Sequence, residues 1–149
     1  MKKVAIFDVD GTIFRSSLLI ELVKTLIERG IFPKEARGIF EKEYTAWVNR
    51  EDGYEKYIMG VVDSFMSYVK GVHYGEIKDA SDFVLERHKD RVYRYTRDLL
   101  KDLKDDDYFL LAISHSPKLI LEGFCKHLGF DKVYGMIYEI GPEGMFTGK

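Results

Sequence analysis

Cysteine is almost missing. Cys125 stands alone, so no disulfide can close within the chain. An excess of one charge is also missing. The 23 basic and 25 acidic residues leave a formal charge of −2. That balance gives no electrostatic ground for binding DNA, RNA or an anionic membrane. Long apolar runs are absent too. Met1-Lys2-Lys3 is followed only by Val4 to Phe7 before Asp8 interrupts. A signal peptide needs a longer apolar stretch, and a membrane-spanning helix needs roughly 20 such residues. A cytoplasmic protein with neither nucleic-acid nor membrane partners is the expectation. There is no internal repeat, low-complexity segment or flexible linker. What remains is 149 residues, 46% of them hydrophobic, enough for one cored domain with room for a small insertion.

The hydrophobic pattern changes twice along the chain. Residues 3–8 form a continuous apolar run, the kind expected of a parallel strand covered on both faces. From residue 16 to about 104 the period is helical. Ser16 and Ser17 can cap a first helix carrying Leu18, Leu19, Leu22, Val23, Leu26 and Ile27, stopped by Gly30. Pro33 opens a second helix through Phe40, Tyr44 and Trp47, and Asp52-Gly53 ends it. A third covers residues 54–70, and a fourth and fifth fill roughly 75–104. Then "YFLLAIS" (108–114) reads as a strand. "SPKLILEGFCKHLG" (116–129) reads as a helix with Pro117 at its first position, and "KVYGMIYEI" (132–140) as a third strand before the turn "GPEG".

Two strand ends carry unusual polar groups. Asp8, Asp10, Gly11 and Thr12 follow the first, and Ser114 to Ser116 follow the second. In open α/β sheets ligands bind outside the carboxyl ends of the strands, so these tips form the candidate site. A carboxylate can attack phosphorus and form an aspartyl phosphate. Two anions repel, so a cation must bridge them. Mg²⁺ suits an all-oxygen site without a His or Cys cluster. A second acid two residues on can swing back, once the chain turns at Gly11, to donate a proton to the leaving group. The Thr12 hydroxyl can fix the turn, and Ser114 can hydrogen-bond a phosphoryl oxygen.

With those residues in view, "DVDGT" after an apolar strand resembles the first motif of the haloacid dehalogenase (HAD) superfamily, chiefly Mg²⁺-dependent phosphatases. "LLAIS" resembles its second motif. The stretch "AISHSP…LGFDKVYG…FTGK" is similar to the subfamily that includes phosphoserine phosphatase, where a helical cap follows the first motif. The resemblance implies an α/β, HAD-like Rossmannoid parallel sheet made of residues 1–14 and 105–149, with residues 15–104 inserted as an all-helical cap. It implies hydrolysis of a small phosphorylated metabolite through an aspartyl phosphate. Asp8 would be nucleophile and Mg²⁺ ligand. Asp10 would be the general acid and base, its backbone carbonyl on the metal. Ser114 would bind the phosphoryl group, Gly11 and Thr12 would shape the loop, and His115 lies beside them. The alternatives are phosphoryl transfer to another acceptor, or a non-catalytic interaction protein.

The departures from the family pattern matter equally. The family's third motif is a lysine some way beyond the "TG" at Thr147-Gly148, and its fourth is a pair of acids on a later strand. Lys149 follows that "TG" at once and is not assigned the role. The resemblance therefore implies a front portion of the sheet with an uncovered edge, open to self-association, and slow turnover by these residues alone. Some polar residues have simpler readings. His115 is a candidate to contact substrate or shuttle a proton, against the simpler reading of an exposed loop residue. Arg15 could hold an anionic substrate or be solvated. Ser16 reads as a helix cap and "KDDD" (104–107) as a solvated turn. Ser17 stands where phosphoserine enzymes carry a glutamate, which counts against phosphoserine as substrate. Tyr44, Trp47, Tyr54 and Tyr57 read as packing or as a pocket wall, and Cys125 as a small core residue.

Overall fold

Three parallel strands organise one part of the chain. The computed structural model describes residues 3–149. The strands are β1 (Val4–Asp8), β2 (Phe109–Pro117) and β3 (Lys132–Met136), in spatial order β1-β2-β3. Between β1 and β2 in sequence run α1 (Leu18–Glu28), α2 (Glu35–Gly38), α3 (Glu41–Val48), α4 (Tyr54–Tyr68), α5 (Tyr74–His88) and α6 (Arg94–Asp105). α7 (Lys118–His127) joins β2 to β3. This is the α/β architecture expected from the sequence.

The chain divides into two compact units. One is Met1–Leu18 with Ser81–Ile137, and the other is Leu19–Ala80 with Tyr138–Lys149. Residues 81–105 thus group with the sheet, and residues 138–149 with the helices.

In the sheet unit, β2 is central and pairs Phe7 with Ala112 and Asp8 with Ile113. Side chains alternate between faces in a strand. Leu110, Ala112, Ser114 and Ser116 are buried on the face contacted by α6 and α7. Phe14 and Phe124 meet edge-to-face behind it, their centroids 5.3 Å apart. The other face is bare: Ile6 is 63% exposed and Tyr134 56%, with Val4, Ile113 and Met136 beside them. The apolar run of β1 led to the expectation of cover on both faces. Only one is covered by the described residues, because a run of apolar residues records hydrophobicity and not which neighbour meets it.

The register of β2 slips between Ile113 and Pro117 where it passes β3. Gly135 sits under that irregularity. A Cβ there would lie 2.9 Å from the Ser116 carbonyl oxygen and 2.9 Å from the Lys118 Cα, so only glycine lets β3 pass so close. β2 stays extended through Pro117, whose φ of −53° and ψ of 130° place it just before α7. The expected helix start at residue 116 is therefore two residues early.

The helical unit differs from expectation in two places. The single helix expected after Pro33 is two, α2 and α3, broken where Phe40 turns inward (4% exposed) against the Tyr57 ring. The expected third strand ends early, at Met136. Beyond it, Tyr138 packs on Phe65 at 5.2 Å, and Phe146 exchanges backbone bonds with Gly71 and Val72. Those contacts draw the segment away from sheet pairing. Lys149 ends in this unit, where its carbonyl accepts the Glu139 N–H.

"KDDD" is part helix and part turn: Lys104 and Asp105 close α6, Lys104 Nζ lies 2.8 Å from both Asp131 carboxylate oxygens, and Asp106 and Asp107 form the exposed turn before β2. Arg15 is exposed as expected, its guanidinium 5.9 Å from the centroid of the Tyr93 ring.

Candidate active site

β1 ends at Asp8, and the chain turns at once. The N–H groups of Thr12, Ile13 and Phe14 all converge on the Val9 carbonyl. Gly11 takes φ of 76°, in the left-handed region that favours glycine, and its N–H reaches the Phe14 carbonyl at 2.8 Å. Thr96, at the start of α6, donates its hydroxyl to the Thr12 carbonyl at 2.9 Å and pins the loop from outside.

The turn puts the two acids in unlike surroundings. Asp8 is exposed, on the bare face shared with Val4 and Ile6. Its Oδ2 accepts one hydrogen bond, from the Thr12 hydroxyl at 2.8 Å. Asp10 is held by three donors. Leu18 N–H reaches Oδ1 at 2.6 Å, while the Ser114 and Ser116 hydroxyls reach Oδ2 at 2.5 and 2.9 Å. The Ser116 N–H in turn donates to Ser114 Oγ at 2.9 Å. Leu18 begins α1, so the Asp10 carboxylate satisfies a free amide at a helix start, where negative charge is stabilised.

The expected site residues are thus brought together in two groups, Asp8 with Thr12 and Asp10 with Ser114. His115 joins none of these bonds: it is exposed on the opposite face of β2 from both serines, the side to which Ile113, paired with Asp8, belongs. Ser116 was marked in the sequence only as part of the polar end of the second strand, and its bond to Asp10 was missed. Its signal was the period-two spacing from Ser114, which places both hydroxyls on one face only if the strand continues past Ser114. Cys125 is fully buried, and burial, with the Asp10 charge second, pushes its thiol up to about 12. It is a core residue, not a nucleophile.

Among the described residues no group of three or more His, Cys, Asp or Glu side chains converges to hold a metal. Mg²⁺ asks for less: one or two carboxylates, with waters and substrate phosphate filling its octahedron. Asp8 offers a hard oxygen with few competing donors, and the donor set fits Mg²⁺ in kind. The Asp10 side chain is occupied by its three donors, which leaves its backbone carbonyl as the oxygen it can offer.

A parallel α/β sheet with paired acids at the carboxyl end of its first strand defines a class, the open-sheet α/β proteins whose ligands bind at strand tips. Within that class the assignment is specific. The family model described as haloacid dehalogenase-like hydrolase matches residues 5–149, and the chain belongs to that family. No curated protein sequence matches the chain. Among solved structures, a Bordetella pertussis Tohama I protein of unknown function is similar at 13% identity and TM-score 0.72, over 100% of this chain and 66% of that one. A phospho-aspartyl intermediate analogue of phosphoserine phosphatase is similar at 17% identity and TM-score 0.56, over 99% and 62%. Phosphoserine phosphatase from T. onnurineus is similar at 21% identity and TM-score 0.54, over 99% and 63%. The chain therefore spans less than two thirds of the length of these structures.

Proposed function

We propose that this chain carries the nucleophile half of a phosphomonoester hydrolase acting on a small phosphorylated metabolite. The observation that supports the reading most is the asymmetry of the two acids: one exposed carboxylate beside one held by three donors. Asp8 Oδ would attack phosphorus as the ester P–O bond breaks. The leaving oxygen would take a proton from the Asp10 carboxyl group. Water would then give a proton to the Asp10 carboxylate and attack the aspartyl phosphate, releasing inorganic phosphate and restoring Asp8. The three bonds to Asp10 suit its ionised form. When it carries a proton on Oδ2, a serine hydroxyl can rotate and accept, because hydroxyls both donate and accept. The serine pair thereby supports both protonation states. Ser114 also remains the candidate to meet a phosphoryl oxygen, with Gly11 and Thr12 holding the loop.

Mg²⁺, held by Asp8 and the Asp10 carbonyl, would offset the repulsion between carboxylate and phosphate. The inserted helices are assigned the role of the family's cap. The similarity to phosphoserine phosphatases supports the phosphoryl chemistry. The substrate itself is left open, since Ser17 is buried where those enzymes carry a glutamate.

The test does not need fast turnover. Incubation with an aryl phosphate and Mg²⁺, followed by acid quench and peptide mass spectrometry, should find one phosphoryl group on Asp8, absent after chelation. Modification elsewhere, or labelling that survives chelation, would overturn the assignment. Phosphoryl transfer to added alcohols in place of water would make the chain a phosphotransferase.

A further inference from the structure

The helical unit contains a cavity of about 250 Å³ that the phosphatase reading does not use. Lys24, Ile27 and Glu28 of α1 line it, with Arg37 of α2, Tyr44 of α3 and Tyr57 of α4. Phe40 completes an apolar wall.

Its polar groups are left open in a patterned way. Lys24 and Glu28 are one helical turn apart, a spacing at which opposite charges usually pair. They form no ion pair, with each other or with any other described residue. The Lys24 ammonium lies over the Tyr44 ring at 6.0 Å. Arg37 spends its Nε–H on Glu41 at 2.6 Å, which leaves its two terminal nitrogens without an acceptor among the described residues. The Tyr57 hydroxyl is buried with no hydrogen-bond partner among the described residues, an arrangement that costs stability unless something satisfies it. Cations, one anion and flat apolar surface therefore meet around one small space.

We propose that this cavity binds a small zwitterion with an apolar body, the chemistry of an aromatic amino acid. A plain anion would face Glu28, and a plain cation would face Lys24 and Arg37. A carboxylate and an ammonium on one molecule answer both signs. The rings of Phe40 and Tyr44 and the Ile27 side chain take the body. The volume admits a single metabolite and no polymer.

The protein carries its own reporter. Trp47 is the only tryptophan, and it stacks on Tyr57 with centroids 5.4 Å apart and planes 17° apart. Occupancy beside Tyr57 should change its emission. Titration with L-phenylalanine should give a saturable change. Phenylacetate, which lacks the ammonium, and phenethylamine, which lacks the carboxylate, should each bind roughly tenfold or more weakly. Lys24→Gln and Glu28→Gln, both at half-buried or exposed positions, should weaken phenylalanine binding by about the same factor with an unchanged circular dichroism spectrum. Tyr57→Phe should weaken it roughly three- to tenfold. No saturable change at millimolar concentration would overturn the proposal. So would equal responses to the three probes, or a response that survives both charge substitutions. If either variant fails to fold, the three-probe comparison on the unmodified protein decides. None of these readouts depends on Asp8 or on turnover.

Discussion

The two faces of the sheet are made from the same three strands and behave oppositely. The face toward α6 and α7 buries Leu110, Ala112, Ser114 and Ser116. The other leaves Val4, Ile6, Ile113, Tyr134 and Met136 in solvent. The acids divide along the same line. Asp8 lies on the open face with a single donor, whereas Asp10, past the end of β1, is bound by hydroxyls from the covered face. The lesson is that one short motif places two like side chains in two environments, as the proposed division into nucleophile and proton carrier requires. A nucleophile needs access, and a proton carrier needs a fixed position. The turn after β1 supplies both: in a continued strand Asp8 and Asp10, two residues apart, would share one face, and the break from Val9 to Gly11 separates them.

The largest effect should come from the open-face acid. Asp8→Asn should abolish phosphoryl labelling, because an amide is not a nucleophile toward phosphorus. Asp10→Asn should slow turnover by about 10²–10⁴-fold, the usual weight of a general acid–base group. Quench-flow labelling with an aryl phosphate separates the two. Labelling retained in the Asp8 variant would erase the distinction between the faces.

Next comes the core behind the covered face. Phe124 is fully buried against Phe14, so Phe124→Ala should cost about 3–5 kcal/mol of stability. Urea denaturation measures it, and a loss below about 1 kcal/mol, on the order of a surface change, would mean that this face is poorly packed. Ser116→Ala should cost less, about 1–3 kcal/mol, by removing one donor to a carboxylate. It should also slow turnover, while Ser116→Thr should retain both stability and turnover. Unchanged turnover in the Ser116→Ala variant would mean that Ser116 only packs.

The pH dependence is smaller. Burial raises the Cys125 thiol from its ordinary 9.0 to about 12, and raises the Tyr57 and Tyr138 phenols as well. In the folded protein these groups hold their protons to higher pH than in the unfolded chain. Their contribution is therefore complete below the unfolded values and is lost as pH rises from about 9 toward 12, at no more than about 1.4 kcal/mol per pH unit per group. Urea midpoints should fall between about pH 9 and pH 11, and Cys125→Ala should flatten part of that fall. A flat profile would show that these groups are solvated.

The smallest effect on stability should come from the open face itself. Ile6→Lys should change it by no more than about 0.5 kcal/mol. β1 is an edge strand beside this bare surface, and unpaired strand edges invite pairing with another chain. Size-exclusion chromatography should find the unmodified protein associating with concentration and the Ile6→Lys variant remaining monomeric. A monomeric unmodified protein at high concentration would show that open face and edge are adequately solvated.

Some of this was legible from residues alone. β1 and β2 were readable because each is a short apolar run that stops at a polar residue, Asp8 or Ser114, too short for a buried helix. α1 and α4 were readable because Leu18, Leu22, Val23 and Leu26, like Val61 and Phe65, repeat at helical period and are buried. The break between α2 and α3 was not, because it depends on Phe40 finding Tyr57 across the unit. The early end of β3 depends in the same way on Tyr138 finding Phe65.

By itself the sequence determined which residues form the candidate site. Asp8, Asp10, Gly11 and Thr12 are consecutive enough that spacing and a turn-permitting glycine define the loop, and local chemistry is a property of neighbours in the chain. Only the tertiary structure decided how that chemistry is divided. The hydroxyls on Asp10 come from residues more than 100 positions away, and the pairing that brings them there is parallel, made by strands whose contact is closed only after six helices have intervened. No local pattern encodes which side of a strand another element will cover. Burial of Ser116, exposure of Asp8 and the open face beside it are outcomes of packing, which a linear order of residues does not contain.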